Sequence, residues 1–178
     1  MKKNILALAA LLITSAMASF AQARGSASGV MLTANAFMYN TTIETASGKA
    51  DSKSSIYDVK LGYLMGSGLY LGGIYSIRNQ SGASSSDGKA TGASLGYVGS
   101  SGFFLKGHYI LTAENDIYKE GTGFQGDFGY LTNVTGAFIV GVELTYRTIE
   151  YKKSDADPSF TKLKQDELFP MLTVGFVF

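Results

Sequence analysis

The chain has no cysteine, no tryptophan, only two prolines and a single histidine in 178 residues. Without cysteine there can be neither a disulfide nor a lipid-modified cysteine at a processing site. Long apolar runs are also missing. Only Ile5 to Ile13 qualifies, and it falls far short of the ~20 residues that a spanning helix needs. Helical membrane proteins are therefore excluded, and 22 glycines make a helical soluble domain a poor fit. No charge of one sign dominates. Without Lys2 and Lys3 the 15 basic residues become 13, against 14 acidic ones, which gives no reason to expect a nucleic-acid partner.

The opening residues carry their own message. Met1-Lys2-Lys3-Asn4 is basic, Ile5 to Ile13 is apolar, and Ala21-Gln22-Ala23 has the small-x-small form of a cleavage site. That is the pattern of a secretory signal peptide over residues 1–23, cut between Ala23 and Arg24. Residues 24–178 remain, which is 178 − 23 = 155 residues, enough for one domain.

What is present in quantity is alternation. The last stretch sets Leu168, Pro170, Leu172, Val174, Phe176 and Phe178 on one face and Phe169, Met171, Thr173, Gly175 and Val177 on the other. A period of two means a strand with two different faces. Seven earlier segments of about ten residues, the length of a tilted membrane-spanning strand, behave alike. Val30, Leu32, Ala34, Ala36 and Met38 oppose Thr33, Asn35 and Tyr39; Tyr57, Val59, Leu61, Tyr63 and Met65 oppose Asp58, Lys60 and Gly62. Leu69, Leu71, Tyr75 and Ile77 oppose Gly72, Ser76 and Arg78; Thr91, Ala93, Leu95 and Tyr97 oppose Gly92, Ser94 and Gly96. Phe103, Leu105, Tyr109 and Leu111 oppose Lys106, His108 and Thr112; Phe124, Phe128 and Tyr130 oppose Gln125, Asp127 and Gly129. The cleanest segment sets Phe138, Val140, Val142, Leu144 and Tyr146 against Gly141, Glu143, Thr145 and Arg147.

Connections alternate long and short. Gly66–Gly68, Gly99–Gly102 and Thr132–Gly136 read as turns, and residues 40–54, 79–89, 114–121 and 150–165 read as polar loops. A terminal apolar strand with an open edge invites aggregation, so pairing of the first strand with the last is expected. The predicted fold is all-β: an eight-stranded antiparallel up-and-down transmembrane β-barrel, monomeric, with aromatic residues near the strand ends at the interfaces.

A cleaved signal, eight alternating spans and a final strand ending in Phe178 resemble the small eight-stranded outer-membrane proteins of the OmpA/OmpX type. The resemblance implies location in a bacterial outer membrane after export through the periplasm, with outer-membrane lipid and lipopolysaccharide around the wall. It also implies that Val174, Phe176 and Phe178 are read by a barrel-assembly machinery. Pro170 departs from the usual pattern, since it cannot donate to a ladder; a bulge or rim position would tolerate it.

With the apolar rows facing lipid, Asp58, Lys60, Arg78, Lys106, His108, Asp127, Glu143, Arg147 and Glu167 face the interior, and Lys106, His108, Asp127 and Glu143 are expected to share one network. An eight-stranded barrel is just wide enough for side chains to fill. The expectation is a plugged polar lumen, with a structural or surface-interaction role carried by the four loops. A narrow pore for small solutes or ions is the alternative. A lipid-modifying enzyme is a weaker one, because His108 points inward and no His-x-Ser arrangement follows it. No cofactor and no metal are expected; Asp51, Asp116, Asp155 and Asp157 lack ligand spacing. Lys152, Lys153, Lys162 and Lys164 place positive charge near lipopolysaccharide heads. A soluble lipocalin-like carrier competes on fold, but it would turn its apolar rows inward around a ligand.

Overall fold

A computed structural model describes residues 28–45, 48–82 and 86–178; the expected signal peptide lies outside the described residues. Nine strands follow in order: β1 (Gly29–Thr45), β2 (Gly48–Leu64), β3 (Leu69–Gly82), β4 (Ser86–Val98), β5 (Phe103–Asn115), β6 (Tyr118–Thr135), β7 (Phe138–Tyr151), β8 (Lys153–Ser154) and β9 (Leu163–Val177). Each long strand pairs antiparallel with its sequence neighbour. β1 pairs with β9, which closes an eight-stranded up-and-down barrel. β8 is a two-residue clip on β6, at Tyr118↔Ser154 and Lys119↔Lys153. Among the described residues there is no helix.

Alternation decides which side of the wall each residue takes. Leu61, Leu105, Phe128, Leu144 and Leu172 are exposed on the outside, while Lys60, Lys106, Asp127, Glu143 and Thr173 are buried inside. The apolar rows therefore face outward and the charged rows inward, the reverse of a lipocalin-like carrier.

Short turns gather at one end, with the start of β1 and the end of β9. Gly68 donates to the Met65 carbonyl at 2.8 Å and Gly102 to the Gly99 carbonyl at 2.9 Å. Both have φ near +90° (89° and 94°), where a Cβ would be strained. The third turn is tighter than the sequence suggests. Thr132 to Thr135 belong to β6, and a register shift at Asn133/Thr135 absorbs the extra residue.

At the opposite end, the stretches expected as loops are mostly strand. Residues 40–45 and 48–54 continue the β1–β2 ladder to Thr45↔Gly48, and β3–β4 continues to Gln80↔Ser86. β5 and β6 are joined only by Asp116 and Ile117. Of 150–165, only Lys152 and residues 155–162 lie outside strands. The ladders do not stop where the apolar rows stop, because main-chain pairing is indifferent to what the side chains face.

One seam is shorter than the rest. β7 and β9 stay in register from Phe138↔Phe176 to Tyr151↔Leu163, whereas β1 and β9 pair only from Met31↔Val177 to Ala36↔Leu172. Phe178 and Val30 exchange both backbone bonds, at 2.7 and 3.0 Å, so the even-numbered residues of β9 direct their main-chain groups toward β1. Pro170 is the next even residue after Leu172, and it has no N–H to offer. It thus sits inside β9 at the point where the seam ends, not at a strand rim. Just beyond, the Phe37 and Phe169 rings stack across the unzipped seam, 5.7 Å apart at 17°.

Candidate functional site: the charged layer of the barrel interior

The interior is layered along the barrel axis. At the short-turn end Met31, Leu64, Tyr70, Val98, Phe104, Leu131 and Ile139 form an apolar cap. Large rings fit there because the opposing wall positions are glycine: a Cβ at Gly62 would lie 2.6 Å from the Tyr70 ring, and one at Gly129 2.7 Å from Phe104. Toward the long hairpins a second apolar layer contains Ile74, Ile110, Ile149 and Tyr151. Ile56, Phe169 and Met171 cluster beside the seam. Charged side chains lie between these layers.

Lys60 is the hub. Its ammonium, 1% exposed, donates to Asp127 Oδ2 at 2.5 Å and to Glu143 Oε1 at 2.6 Å. β2 borders neither β6 nor β7, so this side chain crosses the interior. Arg147 reaches across in the other direction, its Nη2 2.9 and 3.0 Å from the Asp58 oxygens. Gln125 stitches the two groups together: it donates to Asp58 and Asp127 at 3.0 Å each and accepts from Arg147 Nε at 2.7 Å. Thr145 donates to Asp127 Oδ1 at 2.9 Å. Asp127 and Asp58 thus have both oxygens occupied, which is what a buried carboxylate requires.

Of the residues expected to share one network, Asp127 bonds to His108, and Lys60 joins Asp127 to Glu143. Lys106 is buried beside the apolar cap, its ammonium 4.5 Å from the Tyr70 ring centroid and 4.9 Å from that of Phe104, a favourable cation–π arrangement. Arg78 pairs with Glu167 across the barrel near the hairpin-end mouth, partly exposed. Gln165 donates to Glu167 there at 3.1 Å. Val174, Phe176 and Phe178 lie on the outer face, exposed, with Phe176 5.3 Å from Phe138. Thr112 is not inward: a bulge between Ile110 and Ala113 turns both Leu111 and Thr112 out.

Ser94, Gln125 and Thr145 were legible as inward residues but not as members of this site. Ser94 faces His108 in register across β4 and β5. Its Oγ lies 2.6 Å from His108 Nδ1, and His108 Nε2 lies 2.7 Å from Asp127 Oδ2. A serine, a histidine and an aspartate are thereby joined in line. In a serine hydrolase the serine meets Nε2 and the aspartate Nδ1; here the nitrogens are exchanged, and Asp127 also holds Lys60. Ser94, His108 and Asp127 are 5%, 0% and 0% exposed. The mouth cavity, about 20 Å³ and lined by Arg78, Tyr151 and Glu167 among others, does not reach them; it has room for about one water. The chain of bonds orients side chains that are all buried. Among the described residues, two buried atoms, Asn35 Oδ1 and the Tyr70 hydroxyl, have no hydrogen-bond partner.

No family model matches the chain, and neither a curated protein nor a solved structure matches it. The reading of the site rests on its own geometry.

Proposed function

We propose that the chain is an integral outer-membrane barrel of the OmpA/OmpX kind with a plugged polar lumen. Its role is structural or surface-interacting, through the long hairpins, and not catalytic. One observation carries this reading. A belt of exposed apolar side chains encircles the wall, while Asp58, Lys60, Lys106, Asp127, Glu143 and Arg147 of the same strands are buried inside. On β7, Phe138 to Tyr146 puts five apolar residues outward, a height of about 20 Å at the usual rise and tilt, close to the apolar band of outer-membrane barrels. A soluble domain rarely exposes so large a continuous apolar surface. Ionised groups are excluded from a lipid-facing wall by their cost near the midplane, and this belt has none.

Within the lumen, Lys60–Asp127, Lys60–Glu143, Arg147–Asp58 and Arg78–Glu167 all span from β2 or β3 to the far wall. Ion pairs that cross the interior in this way support the plugged barrel over the pore. Fractionation tests the location: a heat-modifiable band that stays with outer membranes after an alkaline wash supports it, and a band released into the soluble periplasmic fraction overturns it. Planar-bilayer recording tests the plug, for which no reproducible conductance steps are expected.

A further inference from the structure

Among the described residues, the wall above the apolar belt is interrupted at one seam. β2 stays with β3 as far as Ser52↔Gly82. The β3–β4 hairpin is tied to β5–β6, where Asp116 N–H donates to the Asp87 carbonyl at 2.9 Å and Ser86 Oγ to Asn115 Oδ1 at 2.8 Å. The β5–β6 hairpin is tied to the last one by β8 and by Asp155 N–H, which donates to the Ile117 carbonyl at 2.9 Å. Between β1 and β9 the rungs stop at Ala36↔Leu172, although β1 runs on to Thr45 and β9 starts at Leu163. Two free main-chain edges therefore flank a slit.

The foot of the slit lies within the belt. The β7–β9 register sets Met171 opposite Glu143 and Phe169 opposite Thr145, the depth of the outward residues Leu144 and Tyr146. Hydrocarbon offers unpaired main-chain groups no partner, so an open edge is tolerated at that depth only where protein covers it or water fills it. Rings close the lower end. Phe169 stacks on Phe37, 5.7 Å away, and Phe37 lies 5.5 Å from Tyr39. On the lumen side Phe169 packs with Ile56 and Met171. It also lies 5.4 Å from the Arg147 guanidinium, which holds Asp58. Phe37 and Phe169 thus separate the slit from the buried charges.

We propose that the slit is a lateral gate: water enters between the free edges from the rim, and the Phe37–Phe169 stack is the latch that holds it off the charged layer. The inference rests on the membrane reading above and adds a moving part to it. An acyl chain is the competing occupant, but it would leave the main-chain groups of both edges unmet, whereas water satisfies them. The apolar cap of Met31, Tyr70 and Phe104 closes the opposite end, so an open latch wets the charged layer without making a pore.

The chain has no cysteine, so one thiol can be placed at a time. Met171→Cys puts it behind the latch and Met31→Cys inside the cap, both at buried positions. The chain folded in vesicles meets a small charged methanethiosulfonate on both faces, and mass spectrometry follows the labelling. Heat-modifiable migration reports that each variant folds. Met171→Cys should react faster than Met31→Cys. Adding Phe37→Ala should speed labelling at 171 by about two- to tenfold, the scale of one aromatic pair, and leave labelling at 31 unchanged. Phe37→Tyr keeps the stack and should keep the native rate. Pro170→Ala gives the slit a rung at its foot and should slow labelling at 171 by a similar factor, that of one hydrogen bond. Equal rates at 171 with and without Phe37→Ala, acceleration of both thiols alike, or labelling at 171 by a lipid-soluble maleimide but not by the charged reagent overturns the gate. Val142→Cys on the outer wall separates the two readings. If the charged reagent labels it, the membrane reading falls; if it stays unlabelled while 171 ignores Phe37→Ala, the gate alone falls.

Discussion

Replacing Lys60 by methionine removes the hub of the interior while nearly preserving its length. In the native protein its ammonium stands 2.5 and 2.6 Å from two carboxylates that are themselves buried. After the change Asp127 keeps His108, Gln125 and Thr145 as hydrogen-bond partners. Glu143 loses Lys60, its ion pair across the interior. Breaking a buried pair from one side costs about 3–5 kcal/mol, because the partner charge stays behind without compensation. With a urea slope of about 1–3 kcal/mol per molar, the unfolding midpoint of the folded barrel should fall by about 1–5 M. Glu143→Gln should cost less, since Lys60 still holds Asp127 and the amide still accepts. The pair Lys60→Met with Glu143→Gln should recover part of the loss, as removal of both charges relieves the buried one. Urea titration followed by the heat-modifiable gel shift gives all three values. If Lys60→Met lies within about 0.5 kcal/mol of the native protein, the size of an ordinary surface change, the network is not what holds the interior.

Three contrasts extend the test. Arg78→Met should cost no more than about 1 kcal/mol in the same titration, because the Arg78–Glu167 pair is partly exposed at the mouth and water screens it; a loss as large as that of Lys60→Met would mean the mouth is drier than its exposure implies. Tyr70→Phe should leave stability unchanged or raise it by up to about 1 kcal/mol, since the buried hydroxyl has no partner and leaving such a group unmade is costly; a clear loss would reveal a partner there. Pro170→Ala restores an N–H that points toward β1 at the end of the seam. Amide exchange at Met38 should then slow as the ladder gains a rung, and unchanged exchange would show that the seam ends for a reason other than proline.

The wall was legible in the sequence because a period of two separates inside from outside residue by residue. Strand ends were not. In Asn40-Thr41-Thr42-Ile43-Glu44-Thr45 the alternation of apolar and polar residues is lost, although the β1–β2 ladder runs on. Thr112 was misplaced because a bulge resets parity without a mark in composition. The charged layer was legible as a set of inward residues and not as a network. Pairing Ser94 with His108 needs the β4–β5 register, and Lys60 meets Asp127 across 67 residues of chain and the width of the barrel. The sequence alone contains no distance across a lumen. Pro170 stood out as an exception, but its meaning depended on which way the main chain of β9 faces.

The absence of tryptophan makes the central claim directly testable. Single tryptophans placed at Val142 and at Leu172, both outward and exposed, should be strongly quenched in vesicles whose lipids carry bromine on their acyl chains and untouched by aqueous iodide. Quenching by iodide with no effect of the brominated chains would place water against that wall and contradict the membrane barrel.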